Sequence, residues 1–376
     1  MEYLVTVIVA LLVLLAIAIC CDTFFKKVPP GKSLSTTTSM SPVSVVIISD
    51  NNASELRRYL DVFLQQEYEP GYEVIVVVCK DEDGTSDVLK PYLGRPGFYT
   101  TFVPDTSRYM SKHKLAVTLG VKAAKHPLVL LTDADCCPLS NRWIATMAAQ
   151  CTDDVDVVCG YSNYPADECH YKRFYRLHKD YALMRKASAG RAYSTFSRNL
   201  LFRKDEFMQR DGFLGNLEHL RGEYAFMLNK YALGDSVAVC LAEEGQLVEQ
   251  SPSHKMWRNK NVFYEHTRKG LARGRWYKCQ MILETSGLYA CLLSSLAVAA
   301  FSVYRSDWLL MAVSLVVLLT LVLLKLLLAK RAMKLFSTHV PLMAVLPFEL
   351  FMVWSKLAFA IRYRLADKYD FVSHKQ

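Results

Sequence analysis

The chain has 376 residues, of which 52% are hydrophobic, and a formal net charge of +9 at pH 7; so apolar a chain of this length predicts membrane segments beside a globular core. The basic residues cluster next to apolar runs, as at an anionic membrane surface, and no stretch interleaves aromatic and basic residues, which argues against a nucleic-acid partner. The eleven cysteines are scattered without a C-x-x-C motif, which argues against a disulfide framework or a zinc ribbon and favours reduced thiols in the cytoplasm.

The first predicted element is a transmembrane anchor at residues 1–22. The run from Tyr3 to Cys21 contains no charge and is long enough to span a bilayer. No basic segment precedes it and no small-residue cleavage site follows, so we expect an uncleaved anchor. Three lysines follow closely, and the positive-inside rule then places the downstream chain in the cytoplasm. Residues 23–42, rich in Ser, Thr and Pro towards their end, are predicted to be a linker.

Residues 43–280 alternate strand and helix signals. The continuous apolar runs VSVVIIS, YEVIVVVC and PLVLL predict strands buried on both faces, and apolar residues at helical spacing lie between them. This alternation predicts an α/β domain with a doubly wound, mainly parallel sheet. Ligands of such sheets bind beyond the carboxyl ends of the strands. All three strands end there in polar residues, namely Ser49-Asp50, Lys80-Asp81 and Thr132-Asp133.

The third strand continues into a D-x-D motif in the stretch LVLLTDADC. Asp133 and Asp135 could together hold Mg²⁺ or Mn²⁺, ions that complete their coordination with substrate phosphates. The alternative is a turn with two solvated aspartates. Neither G-x-G-x-x-G nor a Walker A motif is present, so dinucleotide-dependent redox chemistry and ATP hydrolysis lack their usual phosphate-binding loop.

Residues 281–376 predict a C-terminal membrane region. The apolar runs from Ser286 to Tyr304 and from Trp308 to about Ala329 read as two spans joined by a tight extracytoplasmic turn, RSD. The last run, Val340 to Ile361, is interrupted by two prolines and two charged residues, and it predicts an interfacial or re-entrant helix pair. Two or three trailing segments are too few for a transporter pathway or for the pore of a processive synthase.

Four blocks of the sequence together resemble a known family. VSVVIIS, YEVIVVVC…DEDGTSDVL, KHKLAVTLGVKAAKHPLVLLTDADCCPLSNRWI and STFSRNLLFRKDEF are similar to membrane-anchored bacterial family 2 glycosyltransferases of the GT-A fold, from about Val43 to Lys269. The resemblance implies transfer of a sugar from a UDP- or GDP-sugar to an acceptor hydroxyl, usually with inversion. It also implies a lipid-linked or glycan acceptor in cell-envelope synthesis, and a multi-pass protein of the cytoplasmic membrane with its catalytic domain in the cytoplasm.

The resemblance also assigns site residues. Asp133 and Asp135 would hold the donor diphosphate through Mg²⁺ or Mn²⁺. The other donor-binding positions would be Ser49, Asp50, Asp81, Asp83, Lys112, Lys114, Trp257 and Arg258. Arg198 and Asn199 would hydrogen-bond the acceptor. The alternatives are structural: a solvated helix start for the two lysines, a tied-down loop for Arg198 and Asn199, and an amphipathic approach to the membrane around Trp257. The acidic turn at Asp81 departs from the family pattern, because Cys79-Lys80 replaces its usual paired aspartate.

The largest departure concerns the catalytic base. Direct inverting transfer needs a carboxylate that accepts the proton of the attacking hydroxyl. The family places it in an acidic motif at a helix start, where this chain reads RGEYAFMLNKYA, with Gly222 and Glu223 kept and Tyr224-Ala225 in the place of acidic residues. We predict Glu223 as the base. One alternative is that Glu223 only interacts favourably with the dipole of the helix it begins. Another is that the protein is a transfer-incompetent binding or scaffold subunit.

Overall fold

The computed structural model describes residues 2–28, 41–104, 110–232, 234, 236–272 and 274–372. The chain divides into two compact units, one of residues 1–27, 170–182 and 273–355 and the other of residues 28–169, 183–272 and 356–376. All the predicted site residues belong to the second unit. Most of the predicted linker, residues 29–40, lies outside the described residues.

Strands and helices alternate through the second unit. The strands are β1 Val43–Asp50, β2 Tyr72–Lys80, β3 Phe98–Phe102, β4 Leu128–Asp133, β5 Cys136–Pro138, β6 Val157–Gly160, β7 Ser162–Asn163, β8 Leu200–Arg203, β9 Val237–Cys240 and β10 Leu247–Glu249. The helices of the whole chain are α1 Glu2–Cys20, α2 Ala53–Leu64, α3 Thr85–Leu89, α4 Lys112–Ala123, α5 Trp143–Ala148, α6 His170–Ala187, α7 Lys204–Gln209, α8 Glu223–Tyr231, α9 His254–Thr267, α10 Arg275–Arg305, α11 Trp308–Leu335 and α12 Val345–Leu365.

Within the described residues, seven strands form one sheet in the order β3-β2-β1-β4-β8-β6-β9, and β5, β10 and β7 form a small second sheet. The large sheet is mainly parallel; β8 runs antiparallel to both β4 and β6. The predicted α/β class with a mainly parallel sheet is thus confirmed. Residues Val43 to Ile47 are fully buried, as expected for a strand covered on both faces.

The strand register brings the polar strand ends together. Asp50 pairs with Lys80 across β1 and β2, and Ile48 pairs with Asp133 across β1 and β4. Helix α4 lies close against β1 because residue 120 is a glycine: a Cβ atom there would stand 2.4 Å from Val46 Cγ1. The N-terminus of α4 is capped by the Ser111 side chain, which fixes the first turn of the helix near the ends of these strands.

The first unit contains the hydrophobic helices. Four helical segments among the described residues are long and apolar enough to cross a membrane: Tyr3–Cys20, Ser286–Arg305, Trp308–Leu335 and Leu342–Leu365. Leu11 and Ile19 of α1 pack with Leu288 of α10 and with Val317 and Leu321 of α11 in one apolar cluster.

The structure differs from the predicted helix pair in the last apolar run, Val340 to Ile361, because α12 is one continuous helix from Val345 to Leu365. Pro347 is its third residue and lies in the first turn, where a backbone N–H has no intrahelical acceptor and proline is tolerated. Glu349, which seemed to interrupt the run, is buried and paired with Lys325 at 2.7 Å. The membrane topology of this helix stays a matter of prediction.

Candidate active site

The two aspartates of the D-x-D motif meet an arginine. Asp133 ends β4, and Arg198 lies two residues before β8, the antiparallel neighbour of β4. Arg198 Nη1 is 3.0 Å from Asp133 Oδ2 and 2.7 and 2.6 Å from the two carboxylate oxygens of Asp135. We call these three residues the D-x-D corner. Arg198, which the resemblance assigned to the acceptor, contacts the donor-side carboxylates, and its acceptor role stays a prediction.

Two residues that sequence reasoning missed complete the surroundings of Asp133. The Tyr224 hydroxyl donates to Asp133 Oδ1 at 2.6 Å, and His113 Nε2 lies 3.5 Å from the same oxygen. Burial favours the neutral acid, but the charges of Arg198 and His113 outweigh it and hold the pKa of Asp133 well below its usual range. Asp133 is therefore ionised throughout the physiological pH range.

His113 links Asp133 to the candidate base. Burial alone would lower the pKa of its imidazole, yet the negative charges of Glu223 and Asp133 raise that pKa well above its ordinary value. The ring is consequently cationic at neutral pH. In the sequence His113 stands between the two lysines that open α4, a segment for which a solvated helix start is the alternative.

Glu223 is the first residue of α8 and is 5% exposed. Its Oε2 accepts a hydrogen bond from the backbone N–H of Gly222 at 3.0 Å, whereas its Oε1 is buried and has no hydrogen-bond partner among the described residues. A buried carboxylate oxygen without a donor is costly unless a ligand satisfies it. This oxygen can accept a hydrogen bond, and then a proton, from a bound hydroxyl.

The backbone before Glu223 requires glycine. Gly222 has φ +102°, a left-handed conformation, and a Cβ atom there would stand 2.1 Å from Thr267 Cγ2 on α9. We expect Gly222→Ala to lower the free energy of unfolding by about 3 kcal/mol, since the left-handed backbone costs roughly 1–2 kcal/mol and overpacking roughly 1–3 kcal/mol. Chemical denaturation of the full chain in detergent measures the loss.

Gly215 provides the matched control for this substitution. Its φ is +93°, but nothing lies within 4 Å of a Cβ atom built there. Gly215→Ala should therefore cost only the backbone term, about 1–2 kcal/mol. Equal losses in the two variants would show that the contact with Thr267 does not constrain the start of α8.

Two predicted residues are held inside the fold. The ammonium group of Lys114 is buried and donates to the backbone carbonyls of Asn216 and His219, so it fastens the loop that leads to Glu223; burial lowers its pKa to about 8. The Asn199 amide donates to the carbonyls of Tyr161 and Gly245 and accepts from the Trp143 indole at 3.2 Å. The structure does not bring Asn199 to the crevice, because its side chain is fully buried in these contacts.

The acidic turn after β2 lies at the same edge as the D-x-D corner. Asp83 Oδ2 accepts from the Ala53 N–H at 2.7 Å, at the start of α2, and its Oδ1 accepts from the Thr85 hydroxyl at 2.7 Å. Asp81 is exposed, and its Oδ1 accepts from the Ser86 N–H at 2.8 Å. Both side chains are exposed, but Asp83 uses both of its carboxylate oxygens to stabilise the turn, so Asp81 is the better candidate for contacting the donor base.

The remaining donor-binding predictions lie at the strand and helix ends. Ser49 is fully buried, and its hydroxyl has no partner among the described residues, while Asp50 and Lys112 are partly buried.

On α9, Trp257 is 6% exposed and packs edge-to-face against Phe359 with ring centroids 5.4 Å apart. Its ring is therefore committed to packing rather than open for stacking. Arg258, the next residue, is partly buried.

As arranged, the D-x-D corner does not fit Mg²⁺ or Mn²⁺. All four carboxylate oxygens of Asp133 and Asp135 already have partners in Arg198, Tyr224 or His113. Among the described residues, no three His, Cys, Asp or Glu side chains form a group able to hold a metal ion. A divalent ion needs several oxygen ligands converging on it, so the predicted metal site would require this corner to rearrange.

The mainly parallel seven-stranded sheet agrees with the fold of the family suggested by the sequence. Residues 44–221 match the model described as glycosyl transferase family 2. The chain carries a family 2 glycosyltransferase domain. The predicted family and enzyme class, a glycosyltransferase, are confirmed.

Solved structures and curated proteins complete the comparison. The chain is similar to the mannosyltransferase PcManGT from Pyrobaculum calidifontis in complex with GDP-Man and Mn²⁺, at 16% identity, 84% coverage of this chain, 98% of that chain and a TM-score of 0.48. It is also similar to residues 1–349 of S. aureus TarS in complex with UDP-GlcNAc, at 12% identity, 86% and 92% coverage and a TM-score of 0.42. A third is glucosyl-3-phosphoglycerate synthase from Mycobacterium tuberculosis with Mn²⁺, UDP and glucosyl-3-phosphoglycerate, at 12% identity, 66% and 88% coverage and a TM-score of 0.42. No curated protein matches the chain by sequence.

Proposed function

We propose that this glycosyltransferase moves one sugar from a UDP- or GDP-sugar to an acceptor hydroxyl, with inversion, at the cytoplasmic face of the membrane. The observation that carries the proposal is Oε1 of Glu223, which has no partner in the part of the chain that the structure describes and belongs to a buried carboxylate that raises the pKa of His113. Inverting transfer needs such a base opposite the leaving group.

In this mechanism the acceptor hydroxyl attacks the anomeric carbon while Glu223 Oε1 takes its proton, and the bond from that carbon to the diphosphate oxygen breaks. Negative charge then grows on the leaving nucleoside diphosphate. Positive groups fixed in advance around that charge lower the barrier. The cationic His113 and the guanidinium of Arg198 are the groups placed to do so, because both lie at Asp133.

The four apolar helices support an acceptor that is itself at the membrane, either a lipid-linked sugar or a nascent glycan of the cell envelope. Basic residues follow or end several of them, for example Arg362 and Arg364 in the last turn of α12. Such residues favour the cytoplasmic leaflet. The catalytic unit would then meet a soluble nucleotide-sugar on the same side.

A second candidate is a binding or scaffold subunit without transfer activity. Tyr224 favours it, because this residue stands where the family places an acid and its hydroxyl is bonded to Asp133. A carboxylate engaged in this way is less available to a donor complex.

A donor screen tests the proposal. The full chain in detergent is incubated with a panel of UDP- and GDP-sugars, with and without Mn²⁺ or Mg²⁺, and thermal shift and release of nucleoside diphosphate are measured. We expect one donor to raise the melting temperature and to be turned over. Binding without release under every condition would support the binding or scaffold subunit, whereas neither binding nor release would refute the proposed transfer.

A further inference from the structure

The guanidinium of Arg198 lies between carboxylates that would otherwise face one another. It contacts Asp133 at 3.0 Å and Asp135 at 2.6 Å, and its Nε is 3.8 Å from Glu249 Oε1. Asp133 and Glu249 are almost fully buried. Buried carboxylates at such spacing need a compensating positive charge, and this arginine supplies it from within the chain.

The position of Arg198 is fixed by its neighbours in the sequence. Its backbone N–H donates to the Ser162 hydroxyl at 3.1 Å, and the Ser197 hydroxyl donates to the same oxygen at 3.0 Å. Asn199, the next residue, is anchored in the core through its side-chain amide. The backbone at Arg198 is therefore held in place, and its planar guanidinium can bind carboxylates with little further loss of conformational entropy.

Another cation, Lys260, compensates the charge of Glu249. Lys260 Nζ is 2.6 Å from Glu249 Oε1. Arg198 thus contacts both Asp133 and Asp135, whereas His113 lies near Asp133 alone and Lys260 pairs with Glu249. Any divalent ion that approaches those two aspartates must take over contacts that the guanidinium now makes.

We propose that Arg198 is the built-in counter-cation of Asp133 and Asp135, and that a divalent ion binds this pair only by displacing the guanidinium. The proposal deepens the proposed function, since it concerns the donor corner of that site. It makes Arg198 a positioning residue that sets the affinity for metal. In the unliganded protein, metal binding is weak, and removing the guanidinium strengthens it.

The test is a titration of the full chain with Mn²⁺ in detergent without donor, in which electron paramagnetic resonance measures the free ion. We expect Arg198→Met and Arg198→Gln to bind Mn²⁺ about tenfold or more tightly than the wild type, within the range by which neighbours of metal ligands change affinity. Mn²⁺ should also raise the melting temperature of these variants more than that of the wild type, because a ligand stabilises the state that binds it.

Two control variants separate displacement from general electrostatics. Arg198→Lys keeps a cation at the corner and should bind Mn²⁺ about as weakly as the wild type. Lys260→Met removes an equal charge from Glu249 but leaves the guanidinium between the aspartates, and it should change the affinity by less than about threefold.

Equal or weaker Mn²⁺ binding by folded Arg198→Met would overturn the proposal, as would a gain of the same size in Lys260→Met. Where Arg198→Met does not fold, Arg198→Gln decides, because its amide still donates to the carboxylates. No donor is present, so the result is independent of whether the protein transfers a sugar: a failed donor screen leaves it standing, and a failed titration leaves the donor screen standing.

Discussion

The Glu223→Gln variant is expected to bind its nucleotide-sugar like the wild type and to lose transfer by about 10²–10⁴-fold, the range that a positioned general base contributes. The amide has the shape of the carboxylate, and its oxygen can still accept the hydrogen bond from the Gly222 N–H. The glutamine lacks a basic oxygen in the place of Glu223 Oε1, the carboxylate oxygen that is buried without a partner in the described structure. Single-turnover release of nucleoside diphosphate and the donor Kd together measure the two effects.

Glu218 gives a matched control, since it lies five residues earlier and its side chain is 71% exposed. Glu218→Gln should leave both turnover and donor affinity within about twofold of the wild type, as surface substitutions usually do. Glu223→Asp keeps the carboxylate but withdraws it by one methylene, and we expect an intermediate rate. Full turnover by Glu223→Gln would move the role of base to another residue, and parallel losses in binding and turnover would indicate a structural role.

The sequence predicts most of the fold because its strongest strands are continuous apolar runs. β1, β2 and β4 are buried on both faces, so each appears in the sequence as an uninterrupted apolar run that identifies the strand. The polar residues at the ends of these runs identify the edge of the sheet where ligands bind. β3, by contrast, has exposed residues at its second and last positions and carries little apolar signal. The antiparallel insertion of β8 between β4 and β6 depends on long-range pairing, which no local pattern encodes.

The site is predicted only in part, because its decisive contacts join distant segments. Asp133 and Asp135 are recognisable from their place after β4, but their partner Arg198 comes 63 residues later. Tyr224 looked like a missing acid, and its hydroxyl proves to be a donor to Asp133 from 91 residues away. A lysine such as Lys114, which binds two backbone carbonyls in the interior, has the same local sequence as one that faces a ligand.

The charged residues of the apolar helices are a further case in which the sequence alone does not reveal the partner of a side chain. Lys325 of α11 is 3% exposed and forms ion pairs with Asp22, just after α1, and with Glu349 of α12. In the sequence these residues look like interruptions of membrane segments. In the structure they are one buried cluster that ties three helices together, and this is how ionisable groups are tolerated among apolar helices.

Lys325→Met is therefore expected to destabilise the helical unit by about 3–5 kcal/mol, the usual cost of leaving a buried partner charge unpaired. Both carboxylates would lose their counter-charge at once, and the methionine would fill most of the space of the lysine stem. Unfolding of the full chain by graded addition of a denaturing detergent, followed by helical circular dichroism, measures the loss.

Two further variants distinguish charge imbalance from damage to packing. The triple variant Asp22→Asn, Lys325→Met, Glu349→Gln removes every charge of the cluster and should recover most of the lost stability, since neutral replacement of a buried ion pair is often nearly neutral. Lys334→Met changes an exposed lysine of the same helix and should stay within about 0.5 kcal/mol of the wild type. If Lys325→Met and Lys334→Met behave alike, the cluster does not hold the helices. If the triple variant is as unstable as Lys325→Met, the contribution of Lys325 lies in its packed side chain rather than in its charge.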